Sequence, residues 1–140
     1  MASPIKWQQS NSRDTGIANA SLAAGANLVG AEIDNAANRD KFCSGDLVFN
    51  CATAPTANKV IEIHFLQSVN GSAYEDGGES IDPVGVPVAC IPARAVTGVQ
   101  RVALKNVLIG PFKFKPLLKS ELDQNASGVT LQLFSHNSEV

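Results

Sequence analysis

Val60 to Val69 reads VIEIHFLQSV, and the fold turns on this stretch. Ile61, Ile63, Phe65 and Val69 fall at steps of two or four, so they share one face of an extended strand. Glu62, His64 and Ser68 fall on the other face, with Val60 and Leu66 among them. β-branched and aromatic residues dominate, and neither Gly nor Pro interrupts the run. At roughly 3.3 Å per residue the stretch spans about 33 Å, longer than an ordinary strand. Turn-rich segments bound it, TAPTANK before and NGSAYEDGGESIDP after. It is expected to be a central strand of a β-sandwich, with Ile63 and Phe65 in the core.

The same alternation recurs on both sides. Upstream, short strands are expected near Ala20 to Leu22 and from Asn27 to Ile33, separated by a turn at Ala24-Gly25. A helix between Ala31 and Arg39 is the rival reading of this Ala-rich region. DLVFNCA places Leu47, Phe49 and Cys51 against Val48 and Asn50. Downstream, Val84 to Ala95 alternates but contains Pro87 and Pro92, which cannot donate to a ladder, so an edge strand is expected. Gly98 to Ile109 sets Val102 and Leu104 against Arg101, Ala103 and Lys105. Phe112 to Leu118 sets Phe112 and Phe114 against Lys113 and Lys115, and Val129 to Ser135 closes the series with Val129, Leu131 and Leu133 inward. About eight strands with no long helix predict an all-β fold. We read it as an antiparallel β-sandwich of jelly-roll type. Residues 1–16 are read as an N-terminal arm and 17–140 as one domain.

The composition narrows the function. At 140 residues and 44% hydrophobic content the chain can bury one core of ordinary size. The net charge of −2 is dispersed, which argues against a nucleic-acid surface. Charged residues make up 17%, against about 25% in typical soluble domains. Such chains occur both as plain sandwiches and as proteins that bury surface against partners. No apolar run reaches the ~18 residues of a spanning helix, so no membrane is expected. MASPIKWQQSNSRDTG lacks the apolar core of a secretory leader, so synthesis in a cytoplasm is expected. Cys43, Cys51 and Cys90 are odd in number and lack metal-ligand spacing, so three reduced, mostly buried thiols are expected, with a Cys43–Cys51 bridge as the minor alternative.

The sequence carries little recognisable chemistry. His64 and Glu62 share a strand face, which could serve metal binding or proton transfer but more simply forms a solvated or interface pair. No GxSxG, HExxH or phosphate-loop pattern occurs. YEDGGESID lacks the register and terminal Glu of an EF-hand. A different calcium site in that loop is the alternative to a solvated acidic turn. The basic stripe of FKFK is more simply a solvent face than a nucleic-acid contact. No catalytic residue, cofactor or metal ligand is expected.

Two segments are candidates for an interface. Asn70 to Pro83 is longer than a hairpin loop and carries Tyr74 beside Glu75 and Asp76, a combination suited to an interface rim. The arm carries Trp7, the residue type most enriched at binding hot spots.

Three pieces in order, SLAAGANLVGAEIDN, VIEIHFLQSVNGSAYEDGG and VACIPARAVTGVQRVALKNVLIGPFKFKPLLKSELDQ, resemble small virion proteins of tailed bacteriophages, of the capsid cement or decoration type. The resemblance covers about Leu22 to Phe134, and its most distinctive piece is NGSAYEDGG. It implies a β-sandwich or jelly-roll fold, frequent trimers, a location in the virion and the major capsid protein as partner. It transfers no catalytic or ligand residue. The expectation is a homotrimer that clamps capsid subunits from outside. A carbohydrate-binding sandwich module and a tail-associated structural protein are the alternatives.

Overall fold

The computed structural model describes residues 6–7 and 12–139, with side chains described over 14–137. Among the described residues eleven strands run in chain order: β1 (Lys6–Trp7), β2 (Ser12–Leu22), β3 (Asn27–Val29), β4 (Ile33–Asp34), β5 (Phe42–Cys51), β6 (Val60–Ser68), β7 (Ala89–Pro92), β8 (Gly98–Leu108), β9 (Lys113–Ser120), β10 (Ala126–His136) and β11 (Ser138–Glu139). No helix is present among the described residues, so the helical reading of 31–39 is set aside. A turn closes there instead, where Arg39 N donates to Asn35 O at 2.8 Å.

Two antiparallel sheets face each other. One has the order β2-β10-β5-β8, and the other β3-β9-β6-β7 with β4 also on β9. β3 and β4 pair with successive stretches of β9, Leu117–Lys119 and Lys113–Phe114, so they fill one strand position between them. Nine strands thus occupy the eight positions of a jelly roll, whose neighbours in each sheet are mostly distant in sequence. β1 and β11 form a separate ribbon, pairing Lys6 with Glu139 and Trp7 with Ser138.

Alternation explains which face is buried. On β5, Cys43, Leu47, Phe49 and Cys51 point inward and are buried. On β10, Val129, Leu131 and Leu133 meet them from the neighbouring strand. From the facing sheet come Ile61, Ile63, Phe65, Phe114 and Leu118. Phe65 and Phe114 pack with ring centroids 4.7 Å apart and planes tilted by 36°. At one corner the two backbones touch: Ala31 N donates to Gly16 O and Gly30 N to Pro116 O, both at 2.8 Å. A Cβ on Gly30 would run into the Gly16 carbonyl, so glycine is what permits this closure.

Several boundaries differ from the sequence reading. β2 begins at Ser12, inside the stretch 1–16 read as an arm, and pairs with β10 from Ser135 onward. Val69 falls beyond the end of β6 and is exposed, so it does not share the core face of Ile61, Ile63 and Phe65. The expected strand from Val84 shrinks to Ala89–Pro92, because Pro83, Gly85 and Pro87 deny residues 84–88 a regular ladder. What remains of it is an edge strand, as expected. Cys90 is exposed and only Cys43 and Cys51 are buried. Those two lie eight positions apart on one strand, about 26 Å, which rules out a bridge between them.

Candidate interface surface

The segment between β6 and β7, residues 69–88, is longer than the loop expected from the sequence, and it does not hang free. It folds across the outward face of the β9-β6 pair. That face carries Glu62, His64 and Leu66 from β6 against Lys119, Leu117 and Lys115 from β9. Leu66 and Leu117 are buried, although both point away from the main core. Gly77 lies directly above them: a Cβ built on it would sit 3.0 Å from Leu66 Cδ2 and 3.3 Å from Leu117 Cδ1. Its φ of +155° adds a second reason for glycine. The loop is therefore the lid of a small apolar cluster, and covering it supplies the energy that holds so long a segment in place.

Polar ties fix the register of the lid. Asn70 opens it with a tight turn, its Oδ1 accepting from Ser72 N at 2.8 Å and Ala73 N at 2.9 Å. Glu75 N donates to Gln67 O at 3.0 Å, and Glu75 Oε1 accepts from Gln67 N at 3.3 Å. Asn27 of β3 holds the middle through Nδ2, which donates to Gly78 O at 3.1 Å, Ile81 O at 3.3 Å and Asp82 Oδ1 at 3.0 Å. Lys119 Nζ lies 3.7 Å from Asp82 and 3.5 Å from Glu121, and Asp82 beside it holds the ammonium above its ordinary pKa. Val88 N donates to Ile63 O at 2.8 Å and leads the chain into β7.

Tyr74 sits at the centre of the most connected group. Its hydroxyl donates to Glu32 Oε2, and Lys115 Nζ lies 4.3 Å from the centre of its ring. Lys113 Nζ lies 3.7 Å from Glu32 Oε1. The hydrogen bond to Glu32 pushes the Tyr74 hydroxyl up to about 12. Lys115 of FKFK thus braces the lid, while Lys113 pairs with Glu32 at the surface. Beside Tyr74 is an open depression of about 520 Å³, lined by Gln67, Val69, Asn70, Ala73, Tyr74 and Glu75.

Of the residues singled out in the sequence, Tyr74 and Glu75 fasten the lid to β6 and β9, and Asp76 is exposed on it. Trp7 lies in β1, and its side chain falls outside the described residues. His64, expected in a solvated or interface pair with Glu62, does pair with it, Nε2 lying 3.1 Å from Glu62 Oε2, but is only 4% exposed, so the solvated form of that reading is set aside. Among the described residues no group of three or more His, Cys, Asp or Glu is placed to hold a metal ion. Glu75 and Asp82 are instead spent on Gln67, Asn27 and Lys119.

Asn27, Glu32 and the lid's apolar floor belong to no motif in the sequence. One signal for the floor was present. Leu66 lies on the polar face of β6, and Leu117-Leu118 breaks the alternation of β9, so both faces of this sheet had to be covered.

The lid's outward surface is apolar and acidic. Val84 is 83% exposed and Val86 90%, with Val69 and Ile81 also exposed. Glu75, Asp76, Glu79 and Asp82 lie among them, without a Lys or Arg between residues 69 and 88. Protruding valines beside carboxylates are the composition of a surface suited to contact with another protein.

No family model matches the chain, and no curated protein sequence matches it. Solved structures do. A chain of the T13 infectious bursal disease virus particle matches with a TM-score of 0.51 at 12% identity, over 94% of this chain and 31% of that one. A structure of the Gx strain of that virus matches with a TM-score of 0.42 at 12% identity, over 96% of this chain and 33% of the other. A CBM4 structure gives a TM-score of 0.36 at 9% identity, over 85% and 80% of the two chains. This chain spans about a third of the viral chains it matches. At 12% identity the first likeness is one of fold: the jelly roll seen here is also built in a protein of an icosahedral virus particle.

Proposed function

We propose that this chain is a non-enzymatic structural protein of a virion, a cement or decoration protein seated on the outside of a capsid. Its partners are the major capsid protein and further copies of itself, as a homotrimer. A tailed bacteriophage is the virus class suggested by the resemblance of Leu22 to Phe134. The observation that carries the reading is the lid: a long surface loop, fastened at many points, that presents exposed valines and carboxylates. A fastened loop loses little conformational entropy on docking, so its apolar contacts go into affinity. A jelly roll with a virus-particle likeness supports the virion as the setting. The burial of the His64–Glu62 pair suits a role in which contact is the function.

Cosedimentation of the purified protein with empty capsids tests this. Saturable binding that raises the temperature or denaturant tolerance of the particles is expected. A protein that leaves capsids unbound and unstabilised, yet is retained on a glycan array, would turn the assignment to a carbohydrate-binding module.

A further inference from the structure

The exposed large hydrophobic side chains among the described residues fall in two regions only. Val69, Ile81, Val84 and Val86 lie on the lid; Val96, Val99 and Leu108 lie on or just before β8. The two regions differ in charge. The lid contributes Glu75, Asp76, Glu79 and Asp82 and no cation, whereas residues 94–108 contribute Arg94, Arg101 and Lys105 and no carboxylate.

β8 is also an open sheet edge. It pairs with β5 on one side, and no strand lies on its other side among the described residues. Val99, Arg101, Ala103 and Lys105 line its outward face, and a bulge at Asn106, with φ of 48°, keeps Leu108 on the same side. Cations on an edge strand commonly serve to repel other strands. Here the chain itself carries the complement, an apolar surface of opposite sign, on a different element.

We propose that the occupant of the β8 edge is the lid of a second copy of this chain, in a head-to-tail contact. This rests on the self-assembly named under the proposed function and specifies the two surfaces that meet. Valines of the lid would pack against Val99 and Leu108, with Asp76 and Glu79 facing Arg94 and Lys105. Each copy then offers one surface and receives the other, which closes into a ring when the rotation permits. An isologous pairing of β8 with itself is disfavoured, since it would set Arg101 and Lys105 against their own kind.

Sedimentation equilibrium of the full chain at low and high salt, with charge reversals, tests the contact. The variants are Asp76→Lys with Glu79→Lys on the lid, Arg94→Glu with Lys105→Glu at the edge, and all four together. Arg101 is left unchanged because it already faces Asp46 at 3.5 Å. The wild type should self-associate, more weakly as salt rises. Each reversal alone should lower the association constant at least about 10-fold at low salt, and the fourfold exchange should recover it to within about 3-fold. Thermal melts identify any variant that fails to fold, and the single changes Glu79→Lys and Lys105→Glu then take its place. A monomeric wild type, association indifferent to both reversals, or no recovery in the exchanged chain each overturns the contact. A chain that coats capsids without self-associating overturns this inference and leaves the structural role standing. A chain that assembles as described but binds no capsid does the reverse.

Discussion

Tyr74 donates its hydroxyl hydrogen to Glu32, 42 positions earlier in the chain, and so ties the lid to the segment leading into β4. The bond exists only while the phenol keeps its proton. Glu32 therefore raises the Tyr74 pKa from its ordinary 10.0 to about 12. A group whose folded pKa is raised contributes stability that is complete below the unfolded pKa and is lost as pH climbs through the folded one. For Tyr74 that window runs from about pH 10 to about pH 12. The chain holds a single tyrosine, so tyrosinate absorbance reads this group alone. We expect a midpoint near 12 in the wild type, falling toward 10 in Glu32→Ala. An identical midpoint in both would show that the bond does not form in solution.

Gly77 is where the lid approaches the sheet most closely. Ala there would need a φ that L-residues rarely adopt and would press its methyl onto Leu66 and Leu117. Gly77→Ala should cost at least about 1 kcal/mol. It should also speed hydrogen exchange at Glu75 and Gly78, whose amides are bonded in the closed lid. Gly78, above open space, is the control: Gly78→Ala should be near neutral. Equal effects from the two would locate the lid elsewhere.

The main core could be read in the sequence because each of its strands turns an alternating apolar set toward one shared interior. Ile61, Ile63, Phe65, Val129, Leu131 and Leu133 all lie where alternation placed them. The lid was not legible for a physical reason. Its fastening is between residues far apart in sequence, Asn27 with Gly78 and Glu32 with Tyr74, and none belongs to a local pattern. Tyr74, Glu75 and Asp76 drew notice as a rim, while the side chains that position them left no periodic trace. Residues 84–88 show the opposite failure. Alternating valines suggest a strand, but the prolines and Gly85 leave the segment outside any ladder, with Val84 and Val86 exposed.

Phe65 measures the core. It is 7% exposed and packs on Phe114 across the β6-β9 pair. Phe65→Ala should destabilise the fold by about 3–5 kcal/mol, the range for a large aromatic removed from a packed interior. Leu66→Ala, one residue on but beneath the lid, should cost less than the main-core change, since a loop can settle into the space and a sheet cannot. Denaturant titration of the two variants checks the order. A loss under about 1 kcal/mol for Phe65→Ala would remove the residue from the core.

The thiols report on the same architecture through reactivity. Cys43 and Cys51 point inward from β5, and burial pushes Cys43 up to about 12 and Cys51 above its ordinary value. Thiolate is the reactive form, so both should resist alkylation at neutral pH for two reasons, exclusion of reagent and lack of ionisation. Cys90 is exposed on the edge strand β7. Iodoacetamide under native conditions should therefore add one label, at Cys90, and the unfolded chain should take one at each of Cys43, Cys51 and Cys90. Intact mass and peptide mapping read both outcomes. Native labelling at Cys51 would mean that β5 is not the interior strand described. Protection of Cys90 in assembled protein, with exposure in the isolated chain, would mean that the β7 edge is covered on assembly.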